Sequence, residues 1–471
     1  MAKIDYQKLE KELQFEKRNC WEVWDEKTTK QAFAFAEGYK KFLNKAKTER
    51  ESVKVGVAMA EAKGFKSMEN VKKLKVGDKV YFVNKEKSVV FAVLGKDLLA
   101  DGFRLVMSHI DVPHLDLKVK PLYEDEQLAF LKTHYYGGIK KYHWPTIALA
   151  LHGTVILASG KKVDISIGEK ESDPVFMITD LLPHLAKNQM KKTLDEAIAA
   201  EELNILVGSI PVKDEKVKQK VKLAILEHLN KNYGITEEDF FSADLQIAPA
   251  GKARDLGFDR SMIAAYGQDD RVCAYVSHAA FLDSKPSQYT QVCLWIDREE
   301  IGSEGTTGAQ SIFIENFFAD LLEKSGKPSG MRQVFQVMSK SWALSSDVTA
   351  GYDPDYKGVH DPMNVAKLGC GVALEKYTGH RGKSMTSEAS AEFVQQLRKI
   401  FNGANIVWQT AGLGKVDEGG GGTIAMFMAK RNMEVIDIGV GLFNMHAPME
   451  ISSKADVYSA YQAYVAFYQA K

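Results

Sequence analysis

Val292-Cys293-Leu294-Trp295-Ile296-Asp297-Arg298-Glu299-Glu300 sets five apolar residues directly against four charged ones. The apolar run reads as a strand, and the acids fall where it ends. The same grammar recurs along the chain. Residues 103–108 run into His109-Ile110-Asp111, and Trp342-Ala343-Leu344 runs into Ser345-Ser346-Asp347. Residues 435–440 are followed, after a short gap, by Asn444-Met445-His446, and Gln268-Asp269-Asp270-Arg271 precedes a helical stretch. From residue 244 on, strand-like runs alternate with helical ones. That alternation predicts an α/β fold: a mostly parallel sheet with helices on both faces. In such sheets, ligand groups gather beyond the carboxyl ends of the strands. One crevice could therefore collect His109, Asp269, Glu299, Glu300, Asp347 and His446.

The rest of the chain fits around that sheet. Its 471 residues carry 62 Lys+Arg and 62 Asp+Glu, with 45% hydrophobic and 26% charged residues. A balanced charge without a basic stripe argues against nucleic-acid binding, whose affinity rests on phosphate contacts. The hydrophobic content argues against disorder. No apolar run reaches the roughly 18 residues of a spanning helix. Met1-Ala2-Lys3-Ile4-Asp5 leads into alternating charges with no apolar core, so a cytoplasmic protein is expected. Cys20, Cys273, Cys293 and Cys370 are too scattered for a disulfide scaffold and are expected to be reduced. In the first fifty residues, Leu9, Leu13, Phe15, Trp21, Trp24, Phe33, Phe35, Tyr39 and Phe42 predict amphipathic helices packed on the body. Short strands are expected at 80–83, 89–94 and 103–108, then at 128–132, 154–156 and 163–167. A helix over 213–232 should stop at Gly234. The middle of the chain thus reads as an insertion anchored at both ends. The expected division is a discontinuous catalytic domain, 1–115 with 245–471, and an inserted domain, 116–244.

Common catalytic signatures fail. There is no H-E-x-x-H, and Ile301-Gly302-Ser303-Glu304-Gly305 lacks the first glycine of a nucleophile elbow. Gly419-Gly420-Gly421-Gly422-Thr423 lacks the lysine of a phosphate loop. What remains is a donor set of two histidines and several carboxylates. Such a set can hold two divalent metals with one carboxylate bridging, and it suits zinc, cobalt or manganese. Two such ions can share and deprotonate a water. A carboxylate that does not ligate then serves as general base, and Glu299-Glu300 offers one residue for each role. In His109-x-Asp111 the aspartate can orient the imidazole.

Taken together, Ser108-His109-Ile110-Asp111, Gly267-Gln268-Asp269-Asp270-Arg271, Glu299-Glu300-Ile301-Gly302-Ser303, Ser345-Ser346-Asp347, the Gly419–422 run and Met445-His446-Ala447-Pro448 occur in one characteristic order. By these motifs the chain closely resembles the aspartyl aminopeptidase / aminopeptidase I family of dinuclear zinc metallopeptidases, in its bacterial branch. The resemblance spans essentially the whole chain. It implies one metal held by His109, Asp269 and Asp347, and another held by Asp269, Glu300 and His446, with Asp269 bridging. It implies Glu299 as the general base and Asp111 as the residue orienting His109. The implied reaction is hydrolysis of the N-terminal peptide bond of peptide substrates, with acidic N-terminal residues as the candidate preference. The resemblance also implies that the smaller β-rich insertion is a dimerisation domain, with dimers building a dodecamer.

The chain departs from the eukaryotic pattern in two places. No histidine follows Asp347 closely, and Tyr142-His143-Trp144-Pro145-Thr146-Ile147 differs from the inserted-domain segment that reaches a neighbouring site. Arg381 and Lys383 are the candidate partners for an acidic substrate side chain. Gly420, within the glycine run, is a candidate for close backbone approach to substrate. Two other readings stand beside the aminopeptidase: a dinuclear amidohydrolase or deacylase acting on small acylated amines, and a non-catalytic self-assembling cargo protein.

Overall fold

The computed structural model describes residues 5–97 and 99–470. Residues 1–4, on which the expectation of a cytoplasmic protein partly rests, lie outside the described residues. A nine-stranded sheet organises the molecule. Its order is Lys66–Ser67, Lys79–Asn84, Ser88–Val93, Thr290–Ile296, Phe103–His109, Trp342–Ser346, Glu434–Gly439, Val372–Glu375 and Trp408–Thr410. The four strands at its centre, Thr290–Ile296 to Glu434–Gly439, run parallel. The strands flanking this group, Ser88–Val93 and Val372–Glu375, pair with it antiparallel.

Phe103–His109 and Thr290–Ile296 are buried throughout, which is why their sequences are apolar runs rather than alternations. Successive side chains nonetheless divide between two cores. Cys293 and Trp295 join one apolar cluster, and Val292, Leu294 and Ile296 join the other. The first core is closed by helices Glu26–Leu43, Gln268–Asp283 and Lys454–Gln469, through Tyr39, Val272, Val276, Ala460 and Tyr464. The second is closed by Phe313–Lys324, Met331–Met338 and Ala425–Ala429, through Phe317, Leu321, Val334 and Met428.

Five residues after His109 the chain enters a second, six-stranded sheet. Its order is Lys162–Ile167, Leu149–Ile156, Ala243–Pro249, His114–Asp125, Leu128–Tyr136 and Ile205–Gly208, all antiparallel. It carries a separate apolar cluster that includes Leu122, Leu151, Ile205 and Phe240. A third sheet of five short strands joins Arg254–Leu256, Met262–Ala265, Glu450–Ser453, Gly441–Phe443 and Thr349–Ala350. It brackets the segments that bear Asp269, Asp347 and His446.

Two local expectations need correction. The first helix, Tyr6–Leu13, buries no residue; Leu13 is 75% and Phe15 61% exposed. Leu9 and Leu13 make a one-turn stripe among charges, too little apolar surface to dock a helix. The arm begins to pack at Phe15, whose ring meets Trp408, and at the fully buried Cys20; Trp24 and Phe35 then both meet Tyr458. The helix expected over 213–232 is Lys220–Tyr233. Asp214 accepts the Lys216 amide in a turn, which diverts the backbone before the helix starts. Gly234 ends the helix in the left-handed conformation, as the sequence predicts. All four cysteines are free and buried. No helix among the described residues is long and apolar enough to cross a membrane.

Candidate active site

Ile296 pairs with His109 in adjacent parallel strands, so the two strands end at one level. Trp342–Ser346 and Glu434–Gly439 likewise pair residue by residue up to Ser346 and Ile438. Matching strand ends bring His109, the Glu299-Glu300 turn and Asp347 to one rim of the sheet. Asp269 reaches the same place because the helix Gln268–Asp283 is broken at its start. Asp269 is extended (φ −84°, ψ 104°) and Asp270 is also non-helical. His446 arrives on a turn, with φ +64°. The left-handed backbone at His446 costs free energy, and such conformations concentrate at functional sites.

The side chains converge. His109 Nε2 lies 3.2 Å from Asp269 Oδ1 and 3.6 Å from Asp347 Oδ1. His446 Nε2 lies 3.1 Å from Asp269 Oδ2 and 3.5 Å from Glu300 Oε2. Asp269 therefore turns one oxygen to each histidine. Both imidazoles are oriented from behind. His109 Nδ1 donates to the Asp111 backbone carbonyl at 2.9 Å, and His446 Nδ1 to the Gly138 carbonyl at 2.7 Å. A carbonyl oxygen only accepts, so Nδ1 carries the proton in each ring and Nε2 faces the carboxylates.

The Asp111 carboxylate has a different task. Its Oδ1 accepts the Glu299 amide and its Oδ2 the Glu300 amide, both at 3.1 Å; Oδ2 also accepts the Tyr136 hydroxyl at 2.9 Å. It thus clamps the turn that carries both glutamates. Glu450, fully buried, does the same for the other half of the crevice. It accepts the amides of Gln268 (2.5 Å), Asp269 (3.2 Å) and His446 (2.9 Å).

The electrostatics are unbalanced. Burial pushes the Glu299 carboxyl up to about 8, and the charges of Asp347, Asp111 and Asp269 act in the same direction against His109. Burial and then the Asp269 charge hold Glu300 well above the usual carboxyl range. Asp269 is held below that range despite burial, by its hydrogen bonds to His109 and His446. His446 is pushed up to about 10: burial opposes this, but the hydrogen bond and charge of Asp269 and the charge of Glu300 outweigh it. Glu300 Oε1 and both Asp270 carboxylate oxygens are buried without a hydrogen-bond partner among the described residues. Buried acids in such number either hold protons or gain cationic compensation beyond two imidazoles.

A divalent metal fits. Two groups place one donor atom per residue within 4.8 Å of each other: His109 with Asp270 and Asp347, and His109 with Asp269 and Glu300. Nitrogen and oxygen ligands about 2.0–2.1 Å from a tetrahedral zinc stand about 3.3–3.4 Å apart. The four imidazole–carboxylate separations span that value.

Arg381, Lys383 and Gly420 lie elsewhere. They line a cavity of about 600 Å³ with Asn364, Tyr377 and Lys415, and none of the clustered residues lines it. Lys383 pairs with Glu388 at 3.0 Å. A Cβ on Gly420 would overlap the Gly379 carbonyl, so the glycine run lets two loops close on each other. His143 packs on Tyr142 (4.3 Å between rings) and gives no atom to the cluster.

Histidines and carboxylates at the carboxyl edge of an α/β sheet, oriented from behind by carbonyls, define a metal-dependent hydrolase. Comparison with known proteins makes the class specific. The family profile described as "Aminopeptidase I zinc metalloprotease (M18)" matches residues 42–468. A relative from Clostridium acetobutylicum, named "Probable M18 family aminopeptidase 1", is 49% identical over 456 residues, covering 96% of this chain and 98% of the relative. The crystal structure of an M18-family aminopeptidase from Thermotoga maritima superposes with a TM-score of 0.93 at 44% identity, covering 97% of this chain and all of that one. At 20% identity and a TM-score of 0.72, the S. cerevisiae mApe1 dodecamer shares the fold. The chain belongs to the M18 aminopeptidase I zinc metalloprotease family; it is an aminopeptidase that hydrolyses peptide bonds.

Proposed function

We propose that this cluster works as a two-metal centre, one metal on His109, Asp269 and Asp347 and the other on Asp269, Glu300 and His446. The observation that carries this reading is the split of the Asp269 carboxylate, Oδ1 towards His109 and Oδ2 towards His446. Zinc is the metal the family description supports; cobalt and manganese suit the same donors. Bound there, such ions supply Lewis acidity towards water and a peptide carbonyl.

The chain's own groups do the rest. Glu299 takes the proton from the attacking water and delivers it to the nitrogen of the leaving amine. Asp111 fixes the turn from which Glu299 acts and lies beside His109, its Oδ1 3.4 Å from Nδ1. A preference for acidic N-terminal residues gains no support from Arg381 and Lys383, because none of the clustered residues lines the cavity they border. Residues 116–244 would form the dimerisation domain, with dimers building a dodecamer. Exposed Leu182, Leu185 and Met190 and the dodecamer of the same fold support self-association. Four free cysteines support a cytoplasmic peptide-processing role.

The deciding experiment is Glu299→Gln, with a panel of aminoacyl p-nitroanilides (Asp, Glu, Leu, Lys, Met) under added zinc, cobalt or manganese. A lost general base should lower kcat by about 10²–10⁴-fold, while metal content stays at the parent's level. If the variant loses metal as well, Glu299 and Glu300 have exchanged roles.

A further inference from the structure

We infer that the strand end Tyr136-Gly137-Gly138, supplied by the six-stranded sheet, is a positioning element of the catalytic centre, with the Tyr136 hydroxyl as its acting group. Three consecutive residues touch three separate parts of the site. Tyr136 donates to Asp111 Oδ2 at 2.9 Å, on the same oxygen that accepts the Glu300 amide. Gly137, at φ +74°, lies against Glu300; a Cβ there would stand 3.2 Å from Oε2 and 3.3 Å from the glutamate Cβ. The Gly138 carbonyl accepts His446 Nδ1, a contact between residues 308 apart in sequence.

Tyr136 is held for this task. Its ring stacks on His114, with 4.4 Å between centroids and 18° between planes. His114 is pinned in turn by the Val112 carbonyl at 2.7 Å and by Asp116 Oδ1 at 2.9 Å. The hydroxyl therefore meets Asp111 in a fixed direction. With two amides alone, the Asp111 carboxylate could rotate and carry Glu299 and Glu300 with it. The third donor sets that rotation, and groups that orient ligands in this way govern metal affinity and rate together. The inference rests on the roles given above to Asp111, Glu299 and Glu300.

The test uses Tyr136→Phe in the full-length, zinc-loaded enzyme; the variant keeps the ring and its stack and removes only the hydroxyl. The expected result is a kcat about tenfold lower with KM within about twofold. The zinc dissociation constant, read by competition with a chromogenic chelator, should rise by about tenfold. The melting temperature should stay near the parent's. A hydroxyl that merely joined the inserted sheet to the body would do the reverse, lowering the melting temperature and leaving kcat and zinc affinity unchanged. That result overturns the inference. Gly137→Ala is the second variant, since its Cβ presses on Glu300. It should also weaken zinc binding, and parent-like zinc affinity in both variants sinks the idea. Glu299→Gln run in parallel separates the two failures. Its retaining full turnover would overturn the base assignment, whereas a parent-like Tyr136→Phe beside an inactive Glu299→Gln overturns only the positioning role.

Discussion

Asp111→Asn isolates what the clamp on the glutamate turn contributes. The carboxylate accepts the Glu299 amide on one oxygen and the Glu300 amide on the other. An asparagine has one carbonyl oxygen and one NH2, which only donates. Whichever way the amide is turned, one of the two backbone N–H groups loses its acceptor and faces another donor. Asp111 is 2% exposed, so water offers little replacement. Leaving one buried amide unpaired costs about 1–3 kcal/mol. The turn can escape that cost by moving, which displaces Glu299, Glu300 or both from the crevice. If the whole cost falls on the transition state, kcat drops by about fivefold to 150-fold, at 1.36 kcal/mol per tenfold. Zinc affinity should fall as well, because Glu300 rides on the same turn, although His109 Nδ1 keeps the Asp111 backbone carbonyl that the substitution leaves in place. The assay is steady-state hydrolysis of an aminoacyl p-nitroanilide beside metal analysis and a thermal melt. A kcat within about twofold of the parent, with zinc in place, would refute the clamp. A loss of zinc with unchanged kcat per bound metal would show that Asp111 serves His109 instead.

Two further substitutions probe the frame of the site. Gly439→Ala adds a Cβ that would overlap the Asp347 carbonyl and stand 3.2 Å from Cys273 Sγ. Overpacking of this kind costs about 1–3 kcal/mol, so the melting temperature and zinc retention should fall together; a lowered melting temperature with full zinc retention would mean that the backbone yields away from Asp347. His152→Gln tests the seam between the six-stranded sheet and the helix Glu49–Glu61. His152 is buried between Glu51 (3.0 Å) and Glu169 (3.1 Å). Burial lowers its pKa, but the hydrogen bonds to Glu169 and Glu51 outweigh that and raise it above 6.5. A raised folded pKa gives stability that is complete below about pH 6.5 and is lost as pH climbs through the folded value. The parent should therefore out-melt His152→Gln most clearly below pH 6.5, and the gap should close as pH rises. A gap that widens with pH would reverse the sign of the linkage.

The part of this site legible in sequence is the part that a strand carries to its own end. Ile296 followed by acids, Ser108 followed by His109 and Ser346 followed by Asp347 are visible because parallel strands in register finish at one level. Asp269 was legible as part of an acidic pair before a helix, though not the extended conformation that lets its carboxylate face both histidines. Tyr136, Gly138 and Glu450 were missed. Tyr136 and Gly138 act across 25 and 308 residues of sequence, and no periodicity on their own segment records those contacts. Glu450 left a faint signal, an acid opening the otherwise well-buried strand Glu450–Ser453 four residues after His446. The helix Tyr6–Leu13 shows the opposite failure: a correct periodicity, but too little apolar area for the pattern to be used.

Charge balance over the chain, 62 basic against 62 acidic residues, hides how the acids are distributed. Asp111, Asp269, Asp270, Glu299, Glu300 and Asp347 crowd one crevice with two imidazoles, and several of them are fully buried. Asp111 is satisfied by amides and a hydroxyl, so its charge is already spread over fixed donors. Glu300 and Asp270 have no such donors for their buried oxygens. The acids thus divide by partner. Those with backbone donors shape the crevice, and those without are left facing inwards, where a proton or a bound cation compensates them. A cation that binds the folded crevice and not the unfolded chain also stabilises the fold, by about 2.7 kcal/mol at a free concentration of one hundred times its dissociation constant. The same unpaired oxygens that make the crevice costly without metal therefore make metal binding a contribution to the fold as well as to the reaction.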